Sequence, residues 1–162
     1  MAHLILHLGS NQGDRQRHLR LARERLITRL GPLQRASRIY ETAPWGVRQQ
    51  PDFLNQALHL QTKATATAAL QLAQAVEHEL GRQRKQAWGP RTIDIDLIFY
   101  NELILRTPDL TLPHPWMHQR RFVLVPLAEI VPDWQHPQLG QTVRELLEAC
   151  EDEGEVVVWE GQ

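Results

Sequence analysis

Apolar and polar positions along the chain change period several times, and each change marks an element. His3 to Leu8 is mostly apolar, reads as a strand, and stops at Gly9-Ser-Asn-Gln-Gly13. Asp14 then caps a helix whose apolar positions Leu19, Ala22, Leu26 and Leu30 have helical spacing, and Gly31-Pro32 ends it. A strand is expected near Gln34 to Tyr40, followed by a long loop from Glu41 to about Asp52 that holds Pro44, Gly46 and Pro51. Leu54, Gln56, Leu58 and Leu60 alternate with Asn55, Ala57, His59 and Gln61, the period of another strand. An Ala- and Leu-rich helix begins at Thr67 and runs to Leu80, with Gly81 as its stop. A basic loop leads into Ile93-Asp-Ile-Asp-Leu97, a further strand, and Tyr100-Asn-Glu102 is expected to turn it into a hairpin with Leu103 to Leu105. Beyond Leu112 come a proline-rich loop, a segment from Phe122 to Ile130, a short helix near Val143 to Ala149 and a last strand at Glu155 to Trp159.

Strand, helix, strand, strand, helix, strand is the order of a ferredoxin-like α+β sandwich, a βαββαβ unit with its helices packed on an antiparallel sheet, here with C-terminal additions. In that fold the helices cover the face carrying Ile93, Ile95 and Leu97, and Asp94 and Asp96 lie on the open face. No repeat, low-complexity tract or linker divides residues 1–162, so one domain is expected.

Charge and cysteine usage narrow the function classes. A formal net charge of -1 gives no general attraction to nucleic acid or to an anionic membrane. The positive charge is local, in Arg82-Gln-Arg-Lys85 and Arg120-Arg121. Cys150 is the only cysteine, which points to a reducing compartment, and no signal-peptide pattern or long apolar run is present. The expectation is a cytoplasmic protein.

The chemistry concentrates around Trp88-Gly-Pro-Arg-Thr-Ile-Asp-Ile-Asp96. Two aspartates side by side on one strand face repel each other unless a cation sits between them, and carboxylate oxygens suit Mg²⁺. Arg82, Arg84, Lys85 and Arg91 lie within ten positions just before them, and guanidinium groups match phosphate oxygens bidentately. The competing reading of that cluster is a solvated loop paired with Glu77 and Glu79. Trp45 and Trp88 sit in the two turn-rich loops, either as parts of closing lids or as pins to the core. Phe53 and Asn55 could read the face and edge of a flat heterocycle, with Phe122 opposite. His114 is followed by Pro115, which argues against a helical metal pair with His118. The Gly9–Gly13 turn lacks the lysine pattern of a P-loop and reads as structural, close to the site.

With these residues in view the chain strongly resembles the 6-hydroxymethyl-7,8-dihydropterin pyrophosphokinase family of folate biosynthesis. The resemblance rests on Leu8-Gly-Ser-Asn11, Tyr40-Glu-Thr-Ala-Pro-Trp-Gly46, Gln50-Pro-Asp-Phe-Leu-Asn55, Glu77, Gly81-Arg-Gln-Arg84, the Trp88–Asp96 string, Leu112-Pro-His-Pro115 and Arg120-Arg-Phe-Val-Leu-Val-Pro-Leu127. It implies transfer of the terminal diphosphoryl unit of ATP to the pterin hydroxymethyl group, with release of AMP. It assigns Asp94 and Asp96 to two Mg²⁺ ions, and Arg82 and Arg91 to charge stabilisation beside them. Thr42, Asn55 and the backbone near Ala43 and Trp45 would hold the pterin edge, and Phe122 would stack on its ring opposite Trp45 or Phe53. Gln74, Glu77, Arg82, Arg84, Trp88, Arg91, Leu97, Thr111, His114 and Arg120 would line the ATP side. Asp94 would be near enough to take the hydroxyl proton. The partners implied are small molecules only, with no nucleic acid and no membrane, acting on a monomer.

Three positions depart from the family pattern. Phe53 stands where tyrosine is frequent, Trp116 where arginine is common, and the stretch between Arg84 and Trp88 is a residue shorter than in some members. Two other readings compete: a non-catalytic ferredoxin-like module that binds RNA or a regulatory ligand, and a metal-dependent phosphotransferase with another acceptor. The first calls for a broad basic face, whereas positive charge here is confined to loops beside two carboxylates.

Overall fold

Ala2–Ser10, the apolar opening of the sequence, forms interior strand β1 of a sheet in the computed structural model, which describes residues 1–44, 49–81 and 92–161. The other principal elements are α1 (Arg15–Leu30), β2 (Leu33–Ala36), β3 (Tyr40–Thr42), β4 (Phe53–Thr62), α2 (Ala66–Glu79) and β5 (Asp94–Tyr100). They are followed by β6 (Leu105–Arg106), β7 (Thr111–Leu112), α3 (Arg121–Ile130), α4 (Val143–Ala149) and β8 (Val156–Val158). Among the described residues the main sheet runs β5-β1-β4-β3-β8, with β2 also on β4, and every pairing is antiparallel. Counting β2 and β3 as one interrupted strand gives the ferredoxin-like order, extended at one edge by β8. No described helix is long and apolar enough to cross a membrane.

Alternation along the strands divides the core in two. Leu4, Leu6, Leu8, Leu54, Leu58, Leu60, Ile95 and Leu97 pack under α1 and α2, with Leu19, Ala22, Leu26 and Leu30 on the buried stripe that their spacing predicted. The opposite face is not open along its whole length, as the sequence had suggested. Ile5, Ala57, Ile98 and Phe99 are covered there by Val123, Leu124, Leu127 and Ile130 of α3 and Val143 and Leu146 of α4. A bulge in the β1–β5 pairing, where Leu6 meets Leu97 but Ile5 meets Phe99, leaves Ile98 as the extra residue. Ile98 and Phe99 therefore share a face, and an aspartate-bearing strand becomes apolar on the same side within two residues.

Several sequence boundaries shift for local reasons. The strand expected over Gln34 to Tyr40 breaks at Ser37, whose Oγ accepts from the Ala57 amide at 2.9 Å and donates to the Arg38 carbonyl at 2.7 Å. The serine side chain takes a ladder position from the backbone. The second helix is capped by Thr65, which accepts from the Ala68 amide, so it starts just before Thr67. The hairpin expected between the aspartate strand and Leu103 to Leu105 does not form. Asn101 adopts a left-handed conformation with φ of 48° and bonds back to His3 through both its amide and its Oδ1, and β6 pairs instead with β7.

Candidate functional site

Four adjacent strands place one row of side chains on the sheet face that α3 leaves uncovered. In register, Thr42 on β3 faces Phe53 on β4, Gly9 on β1 faces Asn55 on one side and Asp94 on the other, and His7 faces both Ala57 and Asp96. Residues directly opposite share a face, so Thr42, Phe53, Asn55, Gly9, His7, Asp94 and Asp96 line one surface. The polar side chains at one end are already ordered: Asn55 Nδ2 donates to Thr42 Oγ1 at 2.7 Å, and both residues are buried.

Gly9 is the floor between the two halves of the row. A Cβ at this position would come within 3.3 Å of Asn55 Oδ1 and 3.5 Å of the Phe53 ring. The absence of a side chain keeps a passage between the amide and aromatic end and the carboxylate end. The turn after it is structural, as read: Asn11 Nδ2 donates to Gln50 Oε1 at 2.8 Å and to the Pro51 carbonyl at 3.0 Å. Arg15 adds a bond to Glu41 at 2.7 Å and one to the Asp52 carbonyl at 3.0 Å, so the start of α1 holds both ends of the β3–β4 connection.

The start of α3 supplies the lip. Phe122 presents its ring 5.8 Å from the His7 ring at 63°, and the Arg120 guanidinium carbon lies 5.9 Å from the centre of the Phe122 ring. Burial pulls the Arg120 guanidinium below its ordinary range, while Asp96 and Asp94 act in the opposite direction. Burial also pushes His7 down to about 4 and His114 to about 4, with the Arg120 charge adding to the effect on both. Asp94 opposes the fall at His114. Both imidazoles are therefore neutral at physiological pH, and among the described residues Arg120 is a cation that faces the aspartate pair.

Among the residues expected from the sequence, Thr42, Phe53, Asn55, Asp94, Asp96, Phe122, Arg120 and His114 come together here. Ala43 is exposed just beyond Thr42. Glu77 is buried at the β5 edge, where its Oε2 accepts from the Ile95 amide at 2.8 Å. The Leu97 side chain packs in the helix-covered core, so only its main chain is placed to face a nucleotide. Gln74 is exposed on α2, and Thr111 is half-buried on β7. Trp45, Arg82, Arg84, Lys85, Trp88 and Arg91 lie outside the described residues. His7 was missed. Its signal was parity: it is two residues before Gly9 on a strand whose Leu4, Leu6 and Leu8 face the other way.

Among the described residues no group of three or more His, Cys, Asp or Glu side chains has metal-holding geometry. Two half-buried carboxylates on one face are an oxygen donor set that suits Mg²⁺ and leaves most of its positions for water and phosphate oxygens.

The sequence profile described as 7,8-dihydro-6-hydroxymethylpterin-pyrophosphokinase (HPPK) matches residues 5–132. The 2-amino-4-hydroxy-6-hydroxymethyldihydropteridine pyrophosphokinase of Bacillus subtilis (strain 168) is 41% identical over 153 residues, covering 94% of this chain and 87% of the relative. That of Porphyromonas gingivalis (strain ATCC 33277) is 44% identical over 142 residues, covering 85% and 96%. Among solved structures, Plasmodium falciparum HPPK-DHPS with pteroate superposes with a TM-score of 0.75 over 91% of this chain at 15% identity, which shows a shared fold. The chain spans 42% of that longer protein.

Proposed function

The chain belongs to the 7,8-dihydro-6-hydroxymethylpterin-pyrophosphokinase family, and we propose that the row from Thr42 to Asp96 is where it carries the diphosphoryl unit of ATP onto 6-hydroxymethyl-7,8-dihydropterin. It is a pyrophosphokinase of folate biosynthesis. The hydroxymethyl oxygen attacks the β-phosphorus of ATP, the bond from that phosphorus to the oxygen of the α-phosphate breaks, and AMP leaves. The hydroxyl proton passes to a base. The observation that carries the reading is the in-register row in which Gly9 separates Asn55 from Asp94.

Each half of the row suits one substrate. Thr42 fixes the Asn55 amide by accepting from Nδ2, leaving Asn55 Oδ1 on the Gly9 side to accept from the pterin amino or ring N–H groups. Phe122, over the same face, stacks on the heterocycle, with Phe53 at its other side. At the far end Asp94 and Asp96 would hold Mg²⁺. Mg²⁺ bound there would supply positive charge to offset the negative charge of the phosphates. Arg120 already faces both carboxylates and adds positive charge toward the phosphates. Arg82 and Arg91, in the basic stretch of sequence before the aspartates, take the charge that builds on the transferred group. Asp94 lies directly across Gly9 from Asn55, so it is the carboxylate nearest the pterin and the one that receives the hydroxyl proton. Holding both substrates in line is most of the catalysis.

The described part of the row is built within one chain, so a monomer suffices, and the lone Cys150 fits work in the reducing cytoplasm. Asp96→Ala tests the assignment. Mg²⁺-dependent turnover should fall by at least about a hundredfold with the fold intact by circular dichroism; turnover that survives with an unchanged Mg²⁺ requirement contradicts it.

A further inference from the structure

The Phe122 carbonyl lacks the one amide that regular α-helical spacing would bring to it. In an α-helix the amide four residues on donates to each carbonyl. For Phe122 that residue is Pro126, inside α3, which has no N–H to give. His7 Nε2 lies 3.2 Å from this carbonyl oxygen. A carbonyl only accepts, so Nε2 carries the hydrogen and His7 donates.

His7 is rigidly held. It is 3% exposed, on an interior strand, with Ala57 and Asp96 as its register partners. Its ring also meets the Phe122 ring edge-on at 5.8 Å. Both the main chain and the ring of Phe122 thus rest on the sheet that carries the aspartates. A fixed lip of this kind lets a flat ligand slide in without first ordering the aromatic side chain that covers it.

We propose that His7 is a positioning residue for the pterin: by donating to the Phe122 carbonyl in place of the amide that Pro126 lacks, it fixes the Phe122 ring at stacking distance from the sheet. This rests on the reading of Phe122 as the residue that stacks on the pterin. His7 does not touch the reacting atoms in this arrangement; it acts through Phe122 and so governs pterin binding and not the transfer step.

Steady-state kinetics of AMP formation by the intact protein test this with His7→Leu, His7→Gln, Phe122→Ala and a Pro126→Ala background. Leucine fills the space without a donor, whereas the glutamine amide can still donate. His7→Leu is expected to raise KM for the pterin about five- to tenfold, the scale of one lost hydrogen bond, with kcat and KM for ATP within about twofold. His7→Gln should return the pterin KM to within about twofold of the original. In Pro126→Ala the helix regains its own donor to Phe122, and adding His7→Leu should then cost less than about twofold. Where His7→Leu does not fold, His7→Asn, whose amide is too short to reach the carbonyl, carries the same expectation. An unchanged pterin KM in the donor-less variant, or equal changes in kcat and KM for ATP, overturns the proposal while a large Phe122→Ala effect keeps the stacking reading. If Phe122→Ala leaves the pterin KM unchanged, the stacking reading fails and the proposal falls with it.

Discussion

Glu77 Oε2 accepts the main-chain amide of Ile95 at 2.8 Å, and Ile95 is the residue between Asp94 and Asp96. Among the described strands β5 is the edge on that side of the sheet, so this amide points away from β1. A buried carboxylate from α2 fills the gap and fixes the strand segment that displays the two acids.

Replacing Glu77 by leucine removes the acceptor and leaves a buried N–H unpaired, a loss of about 1–3 kcal/mol. Glu77→Leu should therefore lower the urea midpoint and cut kcat about tenfold, because the carboxylate spacing is no longer held. Glu77→Gln keeps an oxygen for the Ile95 amide and should stay within about threefold in kcat. A glutamine variant with a normal melting curve but a strongly raised KM for ATP would instead make Glu77 a nucleotide contact.

Gly9→Ala probes the floor of the row. The added methyl meets Asn55 Oδ1 at 3.3 Å and the Phe53 ring at 3.5 Å, tight contacts that side-chain adjustment can relieve. Stability should change by less than about 1 kcal/mol. Pterin KM should rise at least about tenfold, since the methyl stands where the hydroxymethyl group must pass between Asn55 and Asp94. Parallel titrations of pterin and ATP separate this from a general loss of activity.

Acid should destabilise the substrate-free protein before its ordinary carboxylates protonate. Burial holds His7 and His114 at about 4 in the folded state, against 6.5 for the free side chain. The unfolded chain takes up these protons first as pH falls, so stability present above about pH 6.5 is lost as pH approaches 4. Each histidine steepens the dependence by about 1.4 kcal/mol per pH unit within that window. Urea melts from pH 7 to 4.5 should show a shallower slope, by about one proton, in His7→Gln. Parallel slopes would mean that His7 is not held neutral by the fold.

Much of this was legible in the sequence because strand parity is strict. Asp94 and Asp96 had to share a face opposite Ile95, and the fold order followed from the alternation of strand and helix periods. What was not legible depended on partners far away in the chain. That α3 and α4 close most of the second face is a tertiary fact, because the Phe122 to Ile130 segment carries Pro126 and gives no plain helical signal. The bulge that turns Ile98 and Phe99 to one side follows from pairing with β1. His7 stayed hidden because its role comes from a proline nearly 120 positions away in sequence. For Leu97 the resemblance names the residue, whereas parity places its side chain in the core.

The central claim is diphosphoryl transfer to the pterin, and the nucleotide product tests it most directly. Purified protein is mixed with Mg²⁺, ATP and 6-hydroxymethyl-7,8-dihydropterin, and the nucleotides are separated by chromatography over time. The account predicts AMP, formed only when the pterin is present and in equal amount to the pterin diphosphate. ADP as the product, or AMP formed at the same rate without the pterin, would contradict it.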